Sequence, residues 1–106
     1  MDKLYLVTRA DLDPAQRAVQ VAHAFRAFIA EHPTVELRWY QESNHLAFLE
    51  VPDERRLQQL AEQAEAKGLP ISGFWEPDRQ NELTAIALGP VAKRLCRGLP
   101  LALQAV

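Results

Sequence analysis

With 106 residues, 48% of them hydrophobic and 25% charged, the chain has the make-up of one globular domain, residues 1–106, rather than of a disordered or fibrous protein. A net charge of −2 gives it no overall attraction for nucleic acid, so such binding needs a local basic patch. Cys96 is the only cysteine, which excludes an internal disulfide and a multi-cysteine zinc site. No basic leader or bilayer-length apolar run is present, so the expectation is a cytoplasmic protein with no membrane partner.

Leu4-Tyr5-Leu6-Val7 reads as a first strand. Asp13 can cap the helix that follows and Pro14 can take its first position, where a missing N–H costs nothing. The helix extends to Glu31. On a wheel of roughly 100° per residue, Ala18, Ala22, Phe25 and Ile29 share one face, with Val21 and Phe28 beside it. Gln16, Gln20 and His23 lie nearly opposite. Polar side chains are thus held early in a helix that starts at a strand end, where open α/β sheets bind ligands.

His32-Pro33-Thr34 is a helix stop. Val35 to Tyr40 is compatible with either a helix or an extended link, and Glu42-Ser43-Asn44 is turn-like. His45 to Val51 reads as a second strand buried on both faces. Pro52-Asp53 opens a second helix with Leu57, Leu60, Ala61 and Ala64 inward, closed by Gly68. Leu69 to Trp75 and Leu83 to Leu88 are the third and fourth strands, joined by the loop Glu76 to Asn81. Val91 to Arg97 is a short final helix, and the apolar tail Leu99 to Val106 packs on the domain or against a second copy, as in a homodimer. Helix-linked strands favour parallel pairing, and the short last link permits an antiparallel pair. The expected fold is α/β: three layers, α/β/α, around a mixed four-stranded sheet.

Three groups can carry chemistry. His23 aligns with Gln20 and Gln16 and lies near Asp11, although a lone histidine on a helix is more often a simple hydrogen-bonding residue. Glu76-Pro77-Asp78 presents carboxylates on a stiffened loop where one can orient or activate a water, although most loop carboxylates are solvated and inert. Lys93, Arg94 and Arg97, with Arg9, Arg17 and Arg79, can form a phosphate-binding rim or simply a wet helix face. Trp39, Tyr40 and Trp75 can stack on bases, but in a small domain such residues usually belong to the core. His23, His32 and His45 have no metal-ligand spacing, so no metal is expected.

In order and spacing, Leu6-Val7-Thr8-Arg9-Ala10-Asp11-Leu12, Gln20-Val21-Ala22-His23-Ala24, Trp39 and Leu83-Thr84-Ala85-Ile86-Ala87-Leu88-Gly89-Pro90 resemble the type 2 peptidyl-tRNA hydrolase family, nearly end to end. The likeness is to a divergent, bacterial-type relative. The family's longer glycine- and lysine-containing segment is shortened here to Asp13–Val19, leaving Gln16 or Arg17 nearest the missing lysine. Glu76 stands where the family has an aspartate, and the threonine that follows it in the family is lost. The resemblance implies hydrolysis of the ester joining a peptide to tRNA, with peptidyl-tRNA as partner and no cofactor. On that reading Glu76, His23 and Gln20 are the catalytic set, and Asp11, Arg17, Asp78 and Arg79 bind substrate. The alternative is a non-catalytic module that binds tRNA or a protein on the same fold.

Overall fold

A computed structural model describes residues 2–104. Strand β1 (Lys3–Arg9) runs through the middle of the molecule, buried from Leu4 to Arg9. Asp13 caps helix α1 (Pro14–Glu31), its carboxylate accepting the Gln16 backbone N–H at 2.9 Å, with Pro14 in the first turn. The stop at His32 lasts one residue, because Pro33 itself opens helix α2 (Pro33–Glu42). The ambiguous segment Val35–Tyr40 is therefore helical, a proline being as well suited to a helix start as it is disruptive within one.

Strand β2 (His45–Val51) leads to helix α3 (Glu54–Ala66), capped by Asp53 and burying Leu57, Leu60 and Ala64. Gly68 follows at φ +67°, the left-handed turn expected past the helix end. Strands β3 (Ile71–Glu76) and β4 (Glu82–Leu88) are linked by a 3-10 turn at Pro77–Arg79. The expected final helix is shorter than its sequence span: a 3-10 turn at Pro90–Ala92 runs into the single turn α4 (Lys93–Cys96).

The sheet order is β2-β1-β4-β3, with β1 parallel to β2 and both pairings of β4 antiparallel. Helices α1 and α2 cover one face through Leu4, Leu6, Val21, Ala24, Phe28 and Trp39. Helix α3 covers the other through Val7, Leu49, Leu57, Leu60 and Ile86. The α/β expectation of a mixed four-stranded sheet between helical layers matches this arrangement.

Some details differ from expectation. Strand β2 is an edge strand whose first residues, His45 and Leu46, are exposed, so it is not buried throughout on both faces. The tail follows this edge: Glu50 N–H donates to the Pro100 carbonyl at 3.0 Å and Ala102 N–H to that of Phe48 at 2.9 Å. The rest of the tail, Ala105 and Val106, falls outside the described residues. Trp39 is core, its indole N–H donating to the His45 carbonyl, but Tyr40 and Trp75 are more than half exposed. Trp75 sits on edge strand β3 with its ring over Gly73, where a Cβ would come within 2.9 Å of the indole.

Candidate functional site

Helix α1 is rotated about a quarter turn from its apolar wheel. Ala18 and Ala22, placed inward by the wheel, are exposed, whereas Gln20 is 1% exposed and is buried with Val21, Ala24 and Phe28. A buried primary amide needs partners for two donors and an acceptor. Gln20 has all of them. Its Nε2 donates to Gln16 Oε1 at 3.1 Å and to Glu76 Oε1 at 3.0 Å, and its Oε1 accepts the Thr84 hydroxyl at 2.7 Å.

A β-bulge brings Thr84 to this position. Phe74 pairs with Ala85 and Trp75 with Leu83, so Thr84 is an extra residue on β4. Thr84 and Ala85 consequently both face α1, while Leu83 and Ile86 on either side pack into the core under α3. With its oxygen held by the Thr84 hydroxyl, the Gln20 amide is oriented with its NH2 towards Glu76. Glu76 is the last residue of β3 and half-buried. Its second oxygen meets only the Asp78 N–H, at a long 3.4 Å, and is the freer of the two.

His23, one helical turn beyond Gln20, is exposed and stacks on Phe74, ring centroids 4.3 Å apart. Gln20 and Glu76 therefore meet directly, and His23 lies beside them against the same strand without a hydrogen bond to either. Asp78 and Arg79 lie on the exposed turn after Glu76.

Asp11 belongs to a neighbouring charge network. Arg9, 4% exposed, grips Asp11 with two bonds of 3.0 and 2.9 Å, and its remaining NH1 reaches Glu82 Oε1 at 2.8 Å and the Leu83 carbonyl at 3.2 Å. Arg79 contacts the same Glu82 oxygen at 3.4 Å. Hydrogen bonds from Arg9 hold the Asp11 and Glu82 carboxyls below their usual range, against the opposing effect of burial. The Arg9 guanidinium is raised in turn, chiefly by Asp11. This network ties the β1–α1 turn to the start of β4, where the loop that follows Glu76 ends. Arg17 is engaged elsewhere: it donates to the carbonyls of Leu12 at 2.6 Å and Ala10 at 2.8 Å and pairs with Glu50 at 3.2 Å.

Sequence reasoning missed Thr84 as a partner of Gln20 and Arg9 as the clamp of Asp11. A buried arginine just before Asp11 was visible as a charge at the end of an apolar strand, whereas nothing in the sequence marks the bulge. Chemically, the cluster offers a held carboxylate, its second oxygen engaged only by one long hydrogen bond, beside an exposed imidazole, which suits activation or orientation of a water. Among the described residues no group of three His, Cys, Asp or Glu side chains is arranged to hold a metal.

A model of the peptidyl-tRNA hydrolase PTH2 family matches residues 2–104 of the chain. Comparison with curated proteins finds no match. Among solved structures, a protein of unknown function from Agrobacterium tumefaciens strain C58 superposes with a TM-score of 0.66. The alignment covers 93% of this chain and 96% of that one at 13% sequence identity, a likeness of fold alone.

Proposed function

Because the chain belongs to the PTH2 family of peptidyl-tRNA hydrolases, we propose that it hydrolyses the ester bond of peptidyl-tRNA, releasing peptide and free tRNA, as a divergent, bacterial-type member. The observation that carries this reading is the hydrogen bond from Gln20 to Glu76 Oε1. It fixes one carboxylate oxygen and leaves the other, met only by the Asp78 N–H at 3.4 Å, to take a proton from water. The activated water adds to the ester carbonyl carbon, the C–O bond to the terminal ribose breaks, and the ribose oxygen leaves with the proton that Glu76 took from the water. Glu76 is the base in this scheme and Gln20 its positioning residue, since both Gln20 N–H groups already have acceptors. His23 flanks the ester, and Asp78 and Arg79 on the neighbouring turn meet the tRNA end, with Asp11 held behind them by Arg9.

The test is release of labelled peptide from peptidyl-tRNA by purified protein, compared with its Glu76→Gln and His23→Ala variants. Turnover by the wild type that Glu76→Gln removes supports the reading; no turnover above a heat-killed control at any pH rejects it.

One observation favours the second reading, a non-catalytic module that binds tRNA or a protein. Arg17, nearest to the family lysine missing here, is turned onto Leu12, Ala10 and Glu50, so it brings no free cation to Glu76. Salt-sensitive tRNA binding without turnover supports that alternative.

A further inference from the structure

A second polar feature lies on the opposite face of the sheet and at its other end. Tyr5 is 7% exposed, yet its hydroxyl has no hydrogen-bond partner among the described residues. No buried side-chain polar atom among the described residues is left unsatisfied, so this hydroxyl meets solvent at the place where Tyr5 comes to the surface. That place is a groove of about 300 Å³ floored by Tyr5, Ala47 and Leu49. One wall is α4 and the other is the tail at Leu99 and Leu101, which the bridge from Leu101 to Leu49 holds beside β2.

Lys3, Lys93 and Arg97 line the same groove, all exposed and none in an ion pair among the described residues. The lining holds no carboxylate. In a chain of net charge −2, these three cations outnumber the one carboxylate that acts on Tyr5, that of Asp2, and leave the rim of the groove net positive. The size is at the lower end for small-molecule sites, and the composition, apolar surface with a few convergent polar groups, is theirs as well.

We propose that this groove binds a phosphate group carried on a ring-bearing, partly apolar body, that is, a nucleotide unit. The Tyr5 hydroxyl donates to a phosphate oxygen, Lys3, Lys93 and Arg97 neutralise its charge, and Leu49, Leu99 and Leu101 contact the body. Burial raises the phenol above its ordinary value, which keeps it a donor at neutral pH. A nucleotide unit has two sources, a free mononucleotide or a link in an RNA strand, and the groove's chemistry is the same for both. The site is separate from Gln20 and Glu76 and does not rest on the hydrolase reading.

The experiment is calorimetric titration of the full chain with AMP, with inorganic phosphate and with a short single-stranded RNA. Variants are Tyr5→Phe, the pair Lys93→Glu with Arg97→Glu, and Arg55→Glu, a charge reversal at an exposed residue of α3 outside the groove. Tyr5→Phe removes a hydroxyl that bonds nothing in the protein, so it should fold as the wild type does. It should bind the nucleotide about 10- to 100-fold more weakly, the loss of one hydrogen bond to a charged group. The double charge reversal should abolish binding, and Arg55→Glu should leave it unchanged. Inorganic phosphate should bind more weakly than AMP, which adds the apolar contacts. Binding of AMP identifies a free nucleotide as the ligand; binding of RNA alone, lost in the same variants, identifies a strand. The proposal is overturned if neither AMP nor RNA binds, or if binding is indifferent to Tyr5, Lys93 and Arg97.

Discussion

The two faces of the sheet are built from different materials. Under α3, Val7, Leu49, Leu57, Leu60 and Ile86 make an apolar layer that depends on shape and area. Under α1, the same strands contribute Thr84, Ser72 and Thr8 to a layer that also buries Gln20. Every one of these polar groups has a partner: Ser72 donates to Glu31 at 2.6 Å, and Thr8 to the Thr84 carbonyl at 2.9 Å. A face built for packing alone would not carry hydroxyls and an amide that must all be satisfied to avoid a desolvation penalty. Gln20, Thr84 and Thr8 gather towards the Glu76 end of the α1 face, Ser72 meets Glu31 at its far end, and Phe28 and Trp39 belong to the apolar part of that face. The contrast separates the half of the molecule that holds the fold from the half that holds a carboxylate in place.

Substitutions on each side can break or sharpen that contrast. The largest loss of stability is expected from Leu57→Ala in the apolar layer, about 2–5 kcal/mol by urea denaturation. At a temperature where that variant remains folded, its peptide release should equal the wild type's. Arg9→Ala should cost about 1.5–3 kcal/mol in the same titration, because it takes the hydrogen bonds of a buried guanidinium from the Leu83 carbonyl and from two carboxylates that keep partial contact with solvent. Thr84→Val should cost less, about 1–3 kcal/mol, by leaving the Gln20 oxygen unpaired. Unlike Leu57→Ala it should also lower kcat, since the amide loses its orientation towards Glu76; equal effects of the two variants on kcat would erase the distinction between the faces.

Acid gives the smallest and most gradual effect. Asp11 and Glu82 titrate below their usual values in the folded protein, so the stability they contribute is complete above the unfolded values of about 4. It is lost as pH falls through the lowered folded values. Both carboxylates are partly exposed and solvent screening reduces the size of the effect. An Arg9→Met variant should show a flatter acid limb in melting temperature against pH.

The sequence disclosed what depends on local chemistry. Asp13-Pro14 marks the start of α1, Asp53 and Gly68 bracket α3, and the spacing of Leu57, Leu60 and Ala64 gives that helix its inward face. Gln20 and Glu76 were readable as candidates from their places on a helix and after a strand. Their arrangement was not, for two reasons. A wheel assumes polar residues point to water, and Gln20 points inward because Thr84, Gln16 and Glu76 satisfy it there. The bulge that turns Thr84 towards it arises from the pairing of β3 with β4, which no local pattern encodes. Arg17 shows the same limit: as a charge it looked available to substrate, but the β1–α1 turn takes its donors.

The most direct test is single-turnover release of labelled peptide from peptidyl-tRNA by the wild type and by Glu76→Gln, with both shown to be folded by circular dichroism. If the carboxylate held by Gln20 activates the water, the wild type releases peptide and the variant is slower by about 10²- to 10⁴-fold. Equal rates in the two proteins would contradict the assignment of Glu76.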